Sequence, residues 1–136
     1  MTLVNPNMRL KETANGVIDE DTRRFYPYRT ITGIPLVAFN SYYPKLGTRY
    51  YIKSVLVTIR TIAADTTTYV FANCSQNIYV SNILNISVVP SVAQAFTIYF
   101  DVQLLCDKDS AINCVAGTAD PAYSRFYFKV AEIDDE

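Results

Sequence analysis

Between Ala95 and Leu105 the chain reads Ala-Phe-Thr-Ile-Tyr-Phe-Asp-Val-Gln-Leu-Leu. Phe96, Ile98, Phe100, Val102 and Leu104 fall on one face, and Thr97, Tyr99, Asp101 and Gln103 on the other. Alternation with a period of two is the signature of a strand with one dry face and one wet face. A helix would scatter the same five apolar side chains around its circumference. The chain must therefore supply another apolar layer to cover that dry face.

Further runs can supply it. Tyr50 to Ile62 is dense in β-branched and aromatic residues, which favour strands. Its odd positions carry Tyr51, Val55, Val57 and Ile59, and its even positions Ile52, Leu56 and Ile62. Apolar residues on both faces predict a central strand, or one covered on its second side by another segment or a partner. Thr67 to Asn73 alternates again, and Asn73-Cys-Ser75 reads as a turn. Asn77 to Ser81 and Ile83 to Val89 read as two short strands with a kink at Asn82. Ala111 to Ala116 is short, and Tyr123 to Ile133 aligns Phe126, Phe128 and Val130 on one face. With Ile34 to Phe39, a strand edge weakened by Pro35, the candidate strands number eight. Turn signals at short, even spacing and the lack of any strong helix predict an all-β, antiparallel two-sheet sandwich, and eight strands predict a jelly roll. Phe96, Ile98, Phe100, Phe126 and Phe128 are the expected core.

Residues 1–33 differ in texture and predict an extended N-terminal arm ahead of a sandwich domain over 34–136. Asn5-Pro6 and Asn15-Gly16 interrupt the arm, and Asp19-Glu-Asp-Thr-Arg-Arg24 is a charge cluster. Phe25, Tyr26 and Tyr28 follow at once, with Pro27 blocking helix and central strand. Arginine beside aromatic rings is a composition enriched at interfaces. Arg23, Arg24, Phe25, Tyr26 and Tyr28, with Tyr42 and Tyr43 in the Asn40–Thr48 loop, are the candidate partner contacts. The arm either straps its own sheet or docks on a neighbour.

Chemistry is harder to find. The 136 residues contain no His, so a His general base or His metal ligand is excluded. Four glycines and no phosphate-binding motif leave nothing to cradle a nucleotide. Asp101 and Glu132 could be weighed as a glycosidase pair, but they read as solvated or strand-end charges. Asp107-Lys-Asp109, Ser110 and Asn113 could offer oxygens to calcium but lack the carboxylate count and glycine of a calcium-binding loop. No catalytic, cofactor or metal site is expected. Net charge is −1 without a basic run, so no nucleic-acid partner is expected. No apolar run reaches membrane-spanning length, and the first residues lack the charged and apolar regions of a signal peptide. Synthesis in a cytosol is the expectation. Cys74, Cys106 and Cys114 are an odd set without paired spacing, read as small, partly buried hydrophobes rather than a Cys106–Cys114 staple.

Three non-enzymatic classes fit: a virion structural protein, a carbohydrate- or receptor-binding module stacking sugars on Tyr42, Tyr43, Tyr50 and Tyr51, or an accessory subunit of a cellular complex. Tyr50 to Ile62 followed by the alternating Ala95–Leu105 strand, Asp109-Ser-Ala-Ile-Asn113, and the closing Phe126-Tyr-Phe-Lys-Val-Ala-Glu-Ile133 are similar to small tailed-phage jelly-roll head proteins. The polar arm ahead of the sandwich adds to the likeness, which is one of pattern. The resemblance implies a homo-oligomeric decoration or cement protein, with a trimer favoured, located in the virion and clamping major-capsid subunits. A tail or fibre-base adaptor belongs to the same repertoire.

Overall fold

In a computed structural model, the structure describes residues 9–33, 40–61, 67–76, 78–89, 94–117 and 123–134. In chain order the strands begin with β1 (Leu10–Glu12), β2 (Gly16–Asp19), β3 (Phe25–Pro27), β4 (Arg29–Gly33) and β5 (Asn40–Tyr42). The long strands follow: β6 (Thr48–Arg60), β7 (Thr68–Gln76), β8 (Tyr79–Val88) and β9 (Ala95–Leu105). The last two are β10 (Ile112–Gly117) and β11 (Arg125–Asp134). No helix occurs among the described residues.

Eight of these strands build two four-stranded antiparallel sheets, ordered β5-β10-β7-β8 and β4-β11-β6-β9. Successive strands change sheet except at the β7–β8 hairpin, which gives the jelly-roll order. Alternation explains the core directly. Val55, Val57 and Ile59 of β6, Phe126, Phe128 and Val130 of β11, and Val70, Ala72 and Cys74 of β7 meet between the sheets. Phe96, Ile98, Val102 and Leu104 of β9 pack against this core from the sheet's edge. Phe100 shares their parity yet is 41% exposed, so its expected place in the core is corrected. An edge strand has a neighbour on one flank only, and the ring lies at that open flank.

The apolar residues on both faces of β6 have a specific cause. Ser54 sits opposite Lys129 of β11 and Ile52 opposite Val130, so Lys53 is an extra residue and the pleat changes phase there. Tyr50 and Ile52 point inward below the bulge, and Val55, Val57 and Ile59 above it. On the β9 side two residues, Val102 and Gln103, face Lys53 between the flanking pairs, and Gln103 takes a left-handed φ of 54°. The two irregularities sit side by side. Tyr51 is turned to the outer face, where it joins Val17, Ala131 and Ile133 in a second buried cluster.

That second cluster is roofed by the arm. β1, β2 and β3 form a small antiparallel sheet, with Leu10, Tyr26 and Tyr28 closing over Tyr51 and Leu105. Gly16 is required where β2 meets β3, because a Cβ there would lie 2.3 Å from the Tyr26 carbonyl oxygen. The described part of the expected 1–33 arm is thus folded onto its own domain. The 33/34 boundary is also displaced: Arg29–Gly33 is β4, paired with Val130–Phe126 of β11.

Other boundaries move too. The expected turn at Asn73–Ser75 is strand, since Cys74 stays in phase with Val70 and Ala72, and β7 continues to Gln76. The expected break at Asn82 is a bulge inside one continuous β8, with Ile83 the extra residue between the Asn73–Asn82 and Ala72–Leu84 pairs. The expected strand Ile34–Phe39 lies outside the described residues. All three cysteines are free and buried. Cys106 neighbours Cys74 rather than Cys114, and burial alone pushes the Cys114 thiol up to about 12.

Candidate functional site

The seven candidate contact residues divide into those used internally and those left for a partner. Arg24 donates to Asp134 at 2.8 Å and ties the arm to the end of β11. Tyr26 and Tyr28 pack on the second cluster, and the Lys129 ammonium sits 5.0 Å from the Tyr28 ring centre. Tyr42 packs against the main core, its ring against Gly33. Arg23, in the left-handed region at a tight turn, Phe25 and Tyr43 remain exposed. Among the described residues no hydrogen bond, ion pair or ring contact joins these three. The sugar-stacking set is corrected as well: Tyr50 is 1% exposed and Tyr51 is buried under the arm, which leaves no row of four tyrosines.

Charge is concentrated where the arm is pinned. Glu12 of β1 accepts hydrogen bonds from Lys53 Nζ at 2.9 Å, Gln103 Nε2 at 3.1 Å and the Tyr51 hydroxyl. Lys53 and Gln103 are the two bulge residues, so the irregularities in β6 and β9 aim their side chains at one carboxylate. Burial pushes the Glu12 carboxyl up, but the hydrogen bonds of Lys53 and Tyr51 and the Lys53 charge outweigh it and hold the group below its usual range. Burial, then the bonded Glu12, pushes the Tyr51 phenol well above its ordinary value. A protonated phenol and an ammonium locked on a carboxylate fasten the arm to the sheet. Nearby, a shallow open cavity of about 300 Å³ is lined by Tyr26, Arg29, Lys45, Thr48, Glu132 and Asp134. Arg29 pairs with Glu132, which also accepts from the Lys45 amide at 2.7 Å, and Asp134 pairs with Arg24.

Apolar surface is presented at the tip of the β7–β8 hairpin, at the end of the sandwich where the Cys106 amide donates to the Tyr50 carbonyl and the Asp109 amide to that of Thr48. At the β7–β8 hairpin Ile78, Tyr79 and Val80 are 87%, 73% and 74% exposed. Ile78 holds a φ of 65°, a conformation that a β-branched residue disfavours. Asp107 keeps it there: its Oδ2 accepts from the Ile78 amide at 2.8 Å and from Ser75 Oγ at 2.6 Å. The Asp107 amide in turn donates to the Ser75 carbonyl at 2.8 Å. Three exposed apolar side chains are therefore carried on a braced hairpin rather than a loose loop. Sequence reasoning missed this tip by turning the chain at Asn73. The parity of Cys74 with Val70 and Ala72, followed by polar Gln76-Asn77, was the signal that could have found it.

Among the described residues no three of Cys, Asp and Glu are grouped to hold a metal ion. No protein-family model and no curated protein matches the chain.

Proposed function

We propose that this protein is a non-enzymatic structural subunit of a virus particle, a decoration or cement subunit that grips neighbouring coat-protein subunits. The observation that carries the reading is the braced apolar tip, Ile78–Val80. Large apolar side chains on a rigid projection fit a pocket in another protein, and such anchors dominate interface energies. Holding the tip in shape before contact avoids part of the ordering cost of association, about 0.5–1.5 kcal/mol per rotamer-rich side chain. The jelly-roll order supports the class by analogy only, since that architecture serves lectins and cupins as well as capsids. Exposed Phe25 and Tyr43 give further contact area.

Binding to particles assembled from the same genome tests the proposal. The chain should co-sediment with coat shells and saturate at a fixed ratio to the coat protein. Ile78→Asp with Tyr79→Ala should weaken that binding at least about tenfold while leaving the β-sheet circular dichroism unchanged. A folded wild-type chain that never co-sediments overturns the proposal.

A further inference from the structure

Each four-stranded sheet has two edges, and three of the four are blunted. β5 is three residues long. β4 is five residues and carries Arg29, paired with Glu132. β9 carries Asp101 and is broken by the bulge at Gln103, whose side chain is engaged by Glu12. Short strands, charges and bulges are the ordinary means of keeping an edge from pairing with another chain.

β8 is different. It runs ten residues from Tyr79 to Val88 without a charge or a proline. Its bulge at Ile83 leaves Leu84–Val88 as an uninterrupted stretch. Leu84 and Ile86 belong to the core side, Leu84 in the core and Ile86 packed against it; Asn85 and Ser87 face solvent. The flank is incompletely closed. β4 stacks on β5 and β10, where a Cβ at Gly33 would lie 3.2 Å from Cys114 Sγ and from the Tyr42 ring. The opposite ends of the two sheets, β8 and β9, therefore share the other side of the sandwich, where Ile83, Ile86, Phe96 and Ile98 are only partly covered and Phe100 is exposed.

We infer that the edge of β8 left unpaired among the described residues pairs antiparallel with β8 of a second copy of this chain, about a two-fold axis beside Ile86. Charge selects this occupant. A two-fold axis sets each residue near it against its own kind, so any charge there would meet a like charge. β8 is the long edge that carries none. Pairing centred on Ile86 places Asn85 opposite Ser87 of the second copy, joins hydroxyl to amide, and brings the partly covered isoleucines of both copies together. A ten-residue edge is ~33 Å long and the sheets lie ~10 Å apart. The register about Ile86 opposes Leu84–Val88 of the two copies, ~17 Å of edge, so the strand pair covers on the order of 170 Å² per partner. That is well under a standard interface, and main-chain hydrogen bonds rather than area hold it. A weak, reversible dimer that forms as concentration rises is the expected form. The inference rests on the reading of the chain as an assembling subunit and names one of its contacts.

Sedimentation equilibrium of the full chain across a hundredfold range of concentration reads the mass. Wild type should move from 15.3 kDa toward twice that value. Asn85→Lys with Ser87→Lys should stay monomeric throughout. Asn85→Lys with Ser87→Glu should dimerise again, because the register sets each new charge against its opposite. Hydrogen exchange of the unmutated chain should slow at Leu84–Val88 as concentration rises, which needs no variant to fold. A wild type that stays monomeric with concentration-independent exchange overturns the inference, as does equal behaviour of the two charged variants. Particle binding by a monomeric wild type would remove the β8 contact and leave the proposed function standing; a dimer that binds no particle would do the reverse.

Discussion

Lys53 of β6 lies 2.9 Å from Glu12 of β1, and through this pair the bulge in the longest strand becomes the fastening point of the N-terminal segment. Without the extra residue, Lys53 would not be displaced from the ladder, and Tyr51 would not face the side that the arm covers. A local defect in one strand thus decides where another segment docks.

The fastening makes stability depend on acid. Glu12 is held below the ordinary carboxyl value of 4.5 in the folded chain. A group depressed on folding contributes stability above its unfolded pKa and loses it as pH falls through the folded value. The arm's contribution should therefore be complete at neutral pH and fade as pH drops below about 4.5. Glu12→Gln should lower the urea midpoint at pH 7 and narrow its difference from the wild type at pH 3. Equal differences at both pH values would contradict the assignment.

Tyr28 and Tyr51 sit in the same cluster and should respond oppositely. The Tyr51 hydroxyl donates to Glu12, so Tyr51→Phe should cost about 1–2 kcal/mol. The Tyr28 hydroxyl is buried without a hydrogen-bond partner among the described residues, so Tyr28→Phe should be neutral or stabilising. Chemical denaturation of the two variants checks the contrast.

Truncation of phenylalanines should separate core from flank. Phe128 is fully buried and Phe100 is not. Phe128→Ala should cost about 3–5 kcal/mol, and Phe100→Ala well under half as much. Equal losses in urea unfolding would place Phe100 inside a closed core.

Deleting residues 1–27 should do more than remove a docking arm. It uncovers Tyr51, Ala131 and Ile133, all now buried. The truncated chain should lose several degrees in Tm and bind a hydrophobic dye. Unchanged Tm would mean that β1–β3 contribute nothing to the sandwich.

The sandwich was legible because period-two alternation reports burial directly: Phe126 and Phe128, expected in the core, are buried there. Bulges hid the rest. One extra residue at Lys53 mixes the two parities of β6, and another at Ile83 makes one strand look like two. The arm's docking was open in sequence because Glu12 finds its partners 39, 41 and 91 residues away, with no local pattern to announce them. The contact residues were chosen for composition, and composition does not tell a ring that roofs its own sheet, such as Tyr28, from one that faces solvent, such as Tyr43.

An electron cryo-microscopy map of particles carrying the chain tests the central claim most directly. The account predicts jelly-roll density attached to the coat shell, with the Ile78–Val80 hairpin seated in an apolar pocket of a coat subunit. Particles without that density, or a sandwich bound with the hairpin tip standing in solvent, would contradict it.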